Sequence, residues 1–301
     1  MMASAIHLEG LTKAYGKHRG ITDIHLDVQS GEVFGYIGPN GAGKTTTIRL
    51  LLDLIRPTRG RVQLFGADVG SAGAALRRRV GYLPGELALY DHLTARELLT
   101  YFANLRGGID ERVIGALAER LSLDLSRPIR SLSKGNKQKV GIVQAFMSHA
   151  DLLILDEPTD GLDPLVQQEF LRMVREVKEQ GRTVFLSSHV LAEVEHVADR
   201  VGIIRDGQLV MVEEIATLKE RAVHRTEIRF AQPVDQDAFR GLTGVHDLTV
   251  DGPMLRCVVT GSMDALVKAI ARFEVERITS HEPDLEAVFL AYYVEGHRDA
   301  A

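Results

Sequence analysis

The chain has 301 residues, of which 45% are hydrophobic and 26% are charged, and its formal net charge is −5. This length favours two domains, the composition is that of an ordinary globular protein, and the negative charge gives no support for a nucleic-acid binder held by overall charge. A single cysteine, Cys257, excludes an internal disulfide framework, and no apolar run approaches the roughly 20 residues that span a bilayer, so any membrane crossing needs another protein.

The first predicted elements are short strands. Residues 4–30 alternate apolar and polar side chains, which is the period of half-buried strands. Tyr15 ends one of these runs, and by burial habits alone an aromatic in that position is more often packed than bound to a ligand. Residues 32–37 follow as a buried strand, and residues 46–52 read as a helix.

A glycine-rich loop joins that strand to that helix. Its sequence, GPNGAGKT, fits the phosphate-loop pattern of glycine, four residues and Gly-Lys-Thr. Backbone N–H groups of such a loop and the helix N-terminus converge on one phosphate. Lys44 is expected to reach the β- and γ-phosphates, and Thr45 to bind Mg²⁺. The predicted contacts to a nucleoside triphosphate are Gly38, Pro39, Asn40, Gly41, Ala42, Gly43, Lys44, Thr45 and Thr46.

The next segment is predicted to be mostly helical. Strands at 61–65 and 80–84 flank a short basic helix at 74–79, and from residue 93 to 125 the leucine spacing is helical, with Gly107 and Gly108 between two helices. Another helix follows Ser133, whose hydroxyl suits an N-cap. We expect an inserted helical subdomain at about 86–150.

Two adjacent carboxylates follow a fully apolar run at 152–155. Such a run is typical of a central parallel strand, which delivers its last side chains to the ligand crevice. Asp156 is expected to hold Mg²⁺ through water, and Glu157 to take a proton from the attacking water. His189 ends the strand predicted at 183–189 and could sense the γ-phosphate, although spacing alone favours a structural histidine.

The remaining elements complete one unit near residue 215 and begin another. Helices are predicted at 165–179 and 190–198, and a hairpin at Asp206-Gly207. Residues 226–280 follow a β-α-β-β-α-β order, which is ferredoxin-like, and a final helix is predicted at 284–294. The predicted fold is a P-loop NTPase α/β core over 4–215, with a mixed β sheet and flanking helices, plus a small α+β domain over 216–301.

Together these residues resemble the ATP-binding subunit of an ABC transporter, and residues 4 to about 215 carry the resemblance. Residues 38–46 resemble Walker A, and residues 152–158 resemble Walker B with Glu157 as its catalytic carboxylate. Residues 132–136, LSKGN, stand where the LSGGQ signature belongs. Residues 161–163 resemble the D-loop with Asp163, His189 resembles the switch histidine, and Tyr15 resembles the aromatic that stacks on adenine.

This resemblance implies a head-to-tail dimer of the chain. ATP with Mg²⁺ would then lie between Walker A of one subunit and the signature of the other, where Ser133 and Gly135 would cap the γ-phosphate. Lys134 and Asn136 depart from the strictest signature. The lysine occurs in the exporter branch that the chain resembles, and it adds positive charge near the γ-phosphate.

The Q-loop is the larger departure from the family pattern. The expected glutamine position is Gly85, which has no side chain to ligate Mg²⁺ or orient water. Glu86 would supply that contact from one residue later, or the contact is lost. The departure concerns how movement of the membrane partner is relayed more than whether ATP binds.

The sequence after residue 215 resembles the accessory C-terminal domain of drug- and antibiotic-export ATPases of the ABC-2 type. Its role is either packing and dimer stabilisation or regulation. The resemblance implies an ATPase at the cytoplasmic face of the membrane that drives export of an unidentified substrate through a separate transmembrane permease, with no nucleic-acid partner.

Other classes of function remain open at this point. A soluble non-transport ABC ATPase acting on ribosomes or DNA would be favoured by tandem phosphate loops or long coiled-coil insertions, and the chain has neither. A GTPase switch lacks its Asn-Lys-x-Asp string. A purely binding regulator would not turn ATP over.

Overall fold

The computed structural model describes residues 4–16, 18–221 and 223–281, so the helix predicted at 284–294 lies outside the described residues. The chain divides into two compact units, Met1–Glu213 and Glu214–Ala301. The strands up to this division are β1 (Ser4–Tyr15), β2 (His18–Gln29), β3 (Val33–Ile37), β4 (Arg59–Leu64), β5 (Ala67–Asp68), β6 (Val80–Leu83), β7 (Leu152–Asp156), β8 (Thr183–Ser188), β9 (Arg200–Arg205) and β10 (Gln208–Glu214). The helices are α1 (Lys44–Leu51), α2 (Gly73–Arg78), α3 (Ala95–Leu105), α4 (Glu111–Arg120), α5 (Lys134–Phe146), α6 (Pro164–Glu179) and α7 (Leu191–Val194), with a 3-10 turn at Ile129–Ser131.

A six-stranded sheet carries the ends of the strands that matter for function. Its order is β10-β9-β3-β8-β7-β6, and β6, β7, β8, β3 and β9 pair in parallel. Strands β3, β7 and β8 are buried along their whole length, as expected for central strands covered on both faces. Because these strands are neighbours and parallel, the segments that follow them all leave the same edge of the sheet.

A second, antiparallel sheet fixes the position of α1. Its order is β2-β1-β4-β5, and the alternation predicted at 4–30 becomes two twelve-residue strands. One core cluster contains Leu8 and Leu11 of β1, Ile24 of β2, Ile48 of α1 and Phe185 of β8. Full burial of each such side chain contributes about 1.5–3 kcal/mol relative to exposure. Helix α1, which follows the glycine-rich loop, therefore packs against residues of both sheets.

The helices between β6 and β7 begin and end where capping chemistry places them. Thr94 and Glu97 form a capping box at the start of α3, and the Asp110 side chain accepts from the Arg112 amide at the start of α4. The Gly107-Gly108 pair separates the two helices, as the sequence predicts. Helix α5 packs against α3, α4 and β6, so this insertion is anchored to the parallel sheet.

The helix predicted at 190–198 is much shorter than expected. Only Leu191–Val194 is helical, because the chain must rejoin the sheet almost at once. The Asp199 amide donates to Val33 O at 2.8 Å, and the Asp199 carboxylate accepts from the Val33 amide at 3.0 Å. These two bonds tie Asp199 to the start of β3 and end the helix early.

The elements of the second unit are α8 (Ile215–Arg221), β11 (Val223–Phe230), β12 (Val245–Asp251), β13 (Met254–Thr260), α9 (Asp264–Ile270) and β14 (Val275–His281). Its four strands form an antiparallel sheet of order β12-β13-β11-β14. The helix predicted at 235–241 is only a four-residue 3-10 turn, Gln236–Phe239, because the Asp235 side chain accepts from the amide of Asp237 in a tight turn. Phe230, Phe239 and Phe273 form a cluster of ring contacts at the core.

No helix within the described ranges has both the length and the apolar character needed to cross a lipid bilayer.

Candidate nucleotide site

The glycine-rich loop lies between β3 and α1, as predicted. Helix α1 begins at Lys44, and Gly43 before it has a φ of 113°. A Cβ on Gly43 would lie 2.7 Å from Ile21 Cγ2, so both the backbone angle and the space exclude a larger residue. The first turn of α1 contains no acidic residue. The partial positive charge of the helix N-terminus therefore faces the loop without a counter-charge from the helix itself.

Lys44 is folded back onto its own loop. Its Nζ donates to Gly38 O at 2.5 Å and to Pro39 O at 3.2 Å, and it lies 3.0 Å from Glu157 Oε1. The side chain is buried. A buried ammonium needs such partners, because an unpaired charge in a protein interior is costly. The cation is thus held beside the place where the loop amides converge.

Asp156, at the end of β7, is fully buried, and each of its carboxylate oxygens accepts a hydrogen bond from a hydroxyl group. Thr45 Oγ1 donates to Asp156 Oδ2 at 2.9 Å, and Ser187 Oγ donates to Asp156 Oδ1 at 2.6 Å. Hydroxyl and carboxylate oxygens are the ligand types that Mg²⁺ takes in combination with substrate phosphates. The donor set of Thr45 and Asp156 therefore fits this ion.

Glu157 has the most constrained backbone of the site. Its φ is 49°, in the left-handed region. This conformation costs a non-glycine residue on the order of 1–3 kcal/mol, and residues that adopt it cluster at functional sites. Its amide donates to Ser187, to the carbonyl at 3.2 Å and to the hydroxyl at 3.1 Å. These bonds from the neighbouring strand β8 help to hold the strained angle.

The Glu157 carboxylate lies between two basic side chains. Oε2 is 2.8 Å from His189 Nδ1. Oε1 is buried and accepts no hydrogen bond from the described residues, although Lys44 Nζ lies 3.0 Å away as an ion pair without hydrogen-bond geometry. The structure thus brings together the three predicted residues Lys44, Glu157 and His189. Oε1 of the Glu157 carboxylate has an ion-pair partner but no hydrogen-bond donor among the described residues.

The signature segment meets the D-loop of the same chain. A Cβ on Gly135 would lie 2.5 Å from Gly161 O, so the close approach of the two backbones requires glycine. Lys134 Nζ is 2.7 Å from Asp160 Oδ2. Ser133 is exposed and its hydroxyl accepts from the Asn136 amide at 3.3 Å, which makes it the N-cap of α5 as predicted.

Asp163, predicted to contact nucleotide, is the N-cap of α6. Its Oδ1 accepts from the Val166 amide at 3.0 Å, and Pro164 follows at the first helical position. Both residues are typical of a helix start. In this structure Asp163 therefore acts on its own helix.

Tyr15 stands beside the glycine-rich loop. It lines a cavity of about 220 Å³ with Gly20, Glu157 and seven residues of the loop and α1. The ring is 42% exposed, and Lys13 Nζ lies 5.4 Å from its centre. An exposed aromatic face at the rim of a cavity is available for stacking on a flat ligand.

A larger cavity, of about 690 Å³, is lined by Asp156. Gly85 lies so close to Asp156 that a Cβ on Gly85 would be 3.3 Å from Asp156 Oδ2. Glu86 lines the same cavity, but the described residues include no cluster of three or more acidic, histidine or cysteine side chains able to hold a metal ion. Glu86 is thus not gathered with Asp156 and Glu157 in this conformation. Burial and the charge of Asp156 raise the pKa of Tyr82, another lining residue, to about 12, so its phenol stays protonated.

Sequence reasoning missed two residues of the site. Ser187 was part of a predicted strand, and its position directly before Ser188 and His189 was the only available signal. Gln138 belonged to a predicted helix, yet its buried amide donates to Glu157 O at 3.2 Å and to Pro158 O at 3.1 Å. It stands among the polar residues Asn136, Lys137 and Lys139 of α5, so the local sequence gave no hint of this role.

Comparison with known proteins identifies the family. The profile described as ABC transporter matches residues 21–160. The Bacitracin transport ATP-binding protein BcrA of Bacillus licheniformis is 36% identical over 300 residues, which cover 96% of this chain and 97% of that protein. The chain belongs to the ABC transporter family of ATP-binding proteins.

Further comparisons agree with this ABC ATPase assignment. The Linearmycin resistance ATP-binding protein LnrL of Bacillus subtilis (strain 168) is 32% identical, over 95% of this chain and 97% of that protein. A solved ATP-binding subunit of an ABC transporter is 33% identical with a TM-score of 0.67, over 72% of this chain and 92% of that one. A dimeric ATP-binding cassette bound to ADP and Pi in a post-hydrolysis state, 22% identical with a TM-score of 0.65 over 70% of this chain and 98% of that one, supports the fold. The predicted ABC-type ATPase is confirmed.

Proposed function

We propose that this ABC ATPase energises export of a substrate through a separate membrane permease, and that it works peripherally at the cytoplasmic face of the membrane. Relatives that match almost the whole chain are named for bacitracin transport and linearmycin resistance, which supports an antibiotic as the class of exported molecule. No feature of the described residues favours the alternative of an ATPase acting on ribosomes or DNA.

The structural observation that carries the ATP-hydrolysing part of this proposal is the 2.9 Å hydrogen bond between Thr45 Oγ1 and Asp156 Oδ2. This bond brings the end of the glycine-rich loop next to the end of β7, and the proposed mechanism needs both segments at the same nucleotide. In this proposal the loop amides and Lys44 bind the ATP phosphates, Tyr15 stacks on adenine, and Thr45 and Asp156 hold Mg²⁺. When bound with ATP, this ion would neutralise charge on the β- and γ-phosphate oxygens.

Glu157 would act as the general base for the attacking water. Its oxygen Oε1 accepts no hydrogen bond from the described residues and is ion-paired with Lys44, and His189 lies 2.8 Å from Oε2 and would orient it. When the γ-phosphate enters, Lys44 would exchange its ion pair with Glu157 for phosphate oxygens. The carboxylate would then be released to accept the proton from water, while His189 keeps it in place.

Two copies of the chain would complete each nucleotide site in a head-to-tail dimer. Ser133 is exposed at the N-terminus of α5, where backbone amides are available to the γ-phosphate of another copy. Leu165, at the second position of α6, is 77% exposed. A large apolar side chain in that position suits burial against a second subunit.

The C-terminal unit is proposed to be a ferredoxin-like accessory domain. The sheet order β14-β11-β13-β12 places the fourth strand beside the first and the third beside the second, as a split β-α-β fold does. The short 3-10 turn Gln236–Phe239 takes the place of the first helix. Its role is proposed to be dimer stabilisation or regulation.

Two experiments test this proposal: trapping of an ATP-bound dimer, and isolation of a complex with a membrane protein. The purified Glu157→Gln variant, mixed with ATP and Mg²⁺, should double its mass in light scattering, whereas the same variant with ADP should remain monomeric. Co-expression with a hydrophobic protein encoded beside this chain should yield a membrane complex whose ATP turnover rises with the exported antibiotic. A variant that stays monomeric at saturating Mg²⁺-ATP would overturn the proposal.

A further inference from the structure

The Gln138 side chain connects the signature helix to the catalytic segment. Its amide is buried within α5 and donates two hydrogen bonds, to Glu157 O at 3.2 Å and to Pro158 O at 3.1 Å. Both acceptors belong to the backbone at the left-handed turn where Glu157 has a φ of 49°. Gln138 therefore holds the peptide that sets the direction of the Glu157 side chain.

Two other residues on the same face of α5 contact the same segment. Positions 134, 135 and 138 lie on one helix face, since they are spaced by three and four residues. Lys134 pairs with Asp160 at 2.7 Å, and Gly135 lies against Gly161 O. One helix face thus runs along residues 157–161.

The opposite side of this segment is held by the strand and helix after it. The Glu157 amide donates to Ser187, and Thr159 Oγ1 donates to the Glu193 carboxylate of α7. A strained backbone angle persists only where its surroundings fix it from several directions. Here Ser187 fixes the amide side of Glu157, and Gln138 fixes its carbonyl side.

We propose that Gln138 is a positioning residue that couples the two nucleotide sites of the dimer. The inference rests on the head-to-tail arrangement proposed above, in which the N-terminus of α5 caps the nucleotide bound by the twin subunit. Gln138, further along that helix, holds Glu157 of its own subunit, which serves the nucleotide on its own glycine-rich loop. Capping the nucleotide of one site therefore restrains the N-terminus of α5, and Gln138 transmits that restraint to Glu157 of the other site.

The first experiment replaces Gln138 by methionine, which has similar length and volume but no donor. The matched control is Gln167→Met, because Gln167 also donates an amide hydrogen bond to a nearby backbone carbonyl, Leu162 O at 3.3 Å, without reaching Glu157. For Gln138→Met, loss of the bonds should lower kcat about tenfold. The KM for ATP should stay within about twofold, because no nucleotide contact is lost.

Cooperativity is the readout that a merely structural role would not change. The Hill coefficient for ATP turnover should exceed 1 for the unmodified protein and for Gln167→Met, and should fall to 1 for Gln138→Met. An unchanged kcat and Hill coefficient in folded Gln138→Met would overturn the inference. Gln138→Leu, which is apolar, similar in volume and without a donor, gives a second variant should methionine prevent folding.

Hybrid dimers locate the effect. When Gln138→Met and Ser133→Ala lie in different subunits, both defects fall on one site and the other site is undamaged. When both substitutions lie in one subunit, each site carries one defect, so the first hybrid should turn over faster. Equal rates would overturn the assignment of Gln138 to its own subunit's base.

Failure of this inference is distinct from failure of the proposed function. If Glu157→Gln forms a dimer with Mg²⁺-ATP and Gln138→Met retains cooperativity, the dimer stands and the coupling role falls. If Glu157→Gln remains monomeric, the proposed dimer and the coupling role both fall.

Discussion

The proposed nucleotide site has two parts, the phosphate loop at residues 38–46 and the signature segment at residues 132–136. They differ in how far a single chain completes them. At the phosphate-loop end, Lys44 is buried and paired with Gly38, Pro39 and Glu157, and Thr45 is bonded to Asp156. At the signature end, Ser133 is exposed and its hydroxyl serves only as a helix cap among the described contacts. One end is preformed within the chain, and we infer that the other presents a helix N-terminus to a second molecule.

The largest expected effect lies at the preformed end. Glu157→Gln should lower kcat by about 10²–10⁴, because the amide cannot accept the proton from water. Its ATP affinity should change little, since Lys44 keeps its loop contacts. Phosphate release and nucleotide titration measure the two quantities. Glu176→Gln, on the exposed face of α6, is the control, and a kcat within tenfold of the unmodified protein would remove Glu157 from catalysis.

At the signature end, Ser133→Ala should lower kcat by about 10–10²-fold, because one hydrogen bond to a charged phosphate is worth about 1.5–3 kcal/mol. Ser133→Gly separates this from capping, since glycine costs an N-cap only a few tenths of a kcal/mol. Ser131→Ala, which removes a hydroxyl that donates to Pro128 O at 2.7 Å, is the control. Turnover by Ser133→Gly equal to that of the unmodified protein would show that the signature end has no catalytic part.

Glu86→Ala should have a smaller effect, a less than tenfold loss of kcat, because Glu86 lines the larger cavity without joining a metal-holding cluster. The comparison is with Glu157→Gln under the same Mg²⁺ concentrations. An equal loss of kcat in both variants would show that Glu86 is catalytic. Glu86 would then supply the contact that the missing side chain at Gly85 cannot make.

The smallest effect is on stability. Asp163→Ala removes the N-cap of α6 and should lower the free energy of unfolding by about 1 kcal/mol. Urea unfolding measures this change. Asp163→Asn, which retains capping ability, should restore stability. If Asp163→Asn restores stability and still loses ATP turnover, Asp163 contacts nucleotide, as the sequence predicted, or the second subunit.

Local chemistry explains which elements the sequence predicted well. The strand–loop–helix at 33–51 and the apolar strand ending in Asp156 are continuous segments whose residue types fix their backbone. The helix predicted at 190–198 was too long because its end depends on Asp199 pairing with Val33 of another strand. The helix predicted at 235–241 was wrong because capping by Asp235 favours a single tight turn.

The sequence by itself determined the family, the phosphate loop, the two adjacent carboxylates and the histidine that follows the next strand, since each is written in a short contiguous motif. Only the tertiary structure decided that Ser187 supports Asp156, that Lys44 pairs with Glu157, and that Gln138 holds the Glu157 carbonyl. These contacts join distant parts of the chain. They depend on the register of parallel strands and on the packing of α5, which no local residue pattern specifies.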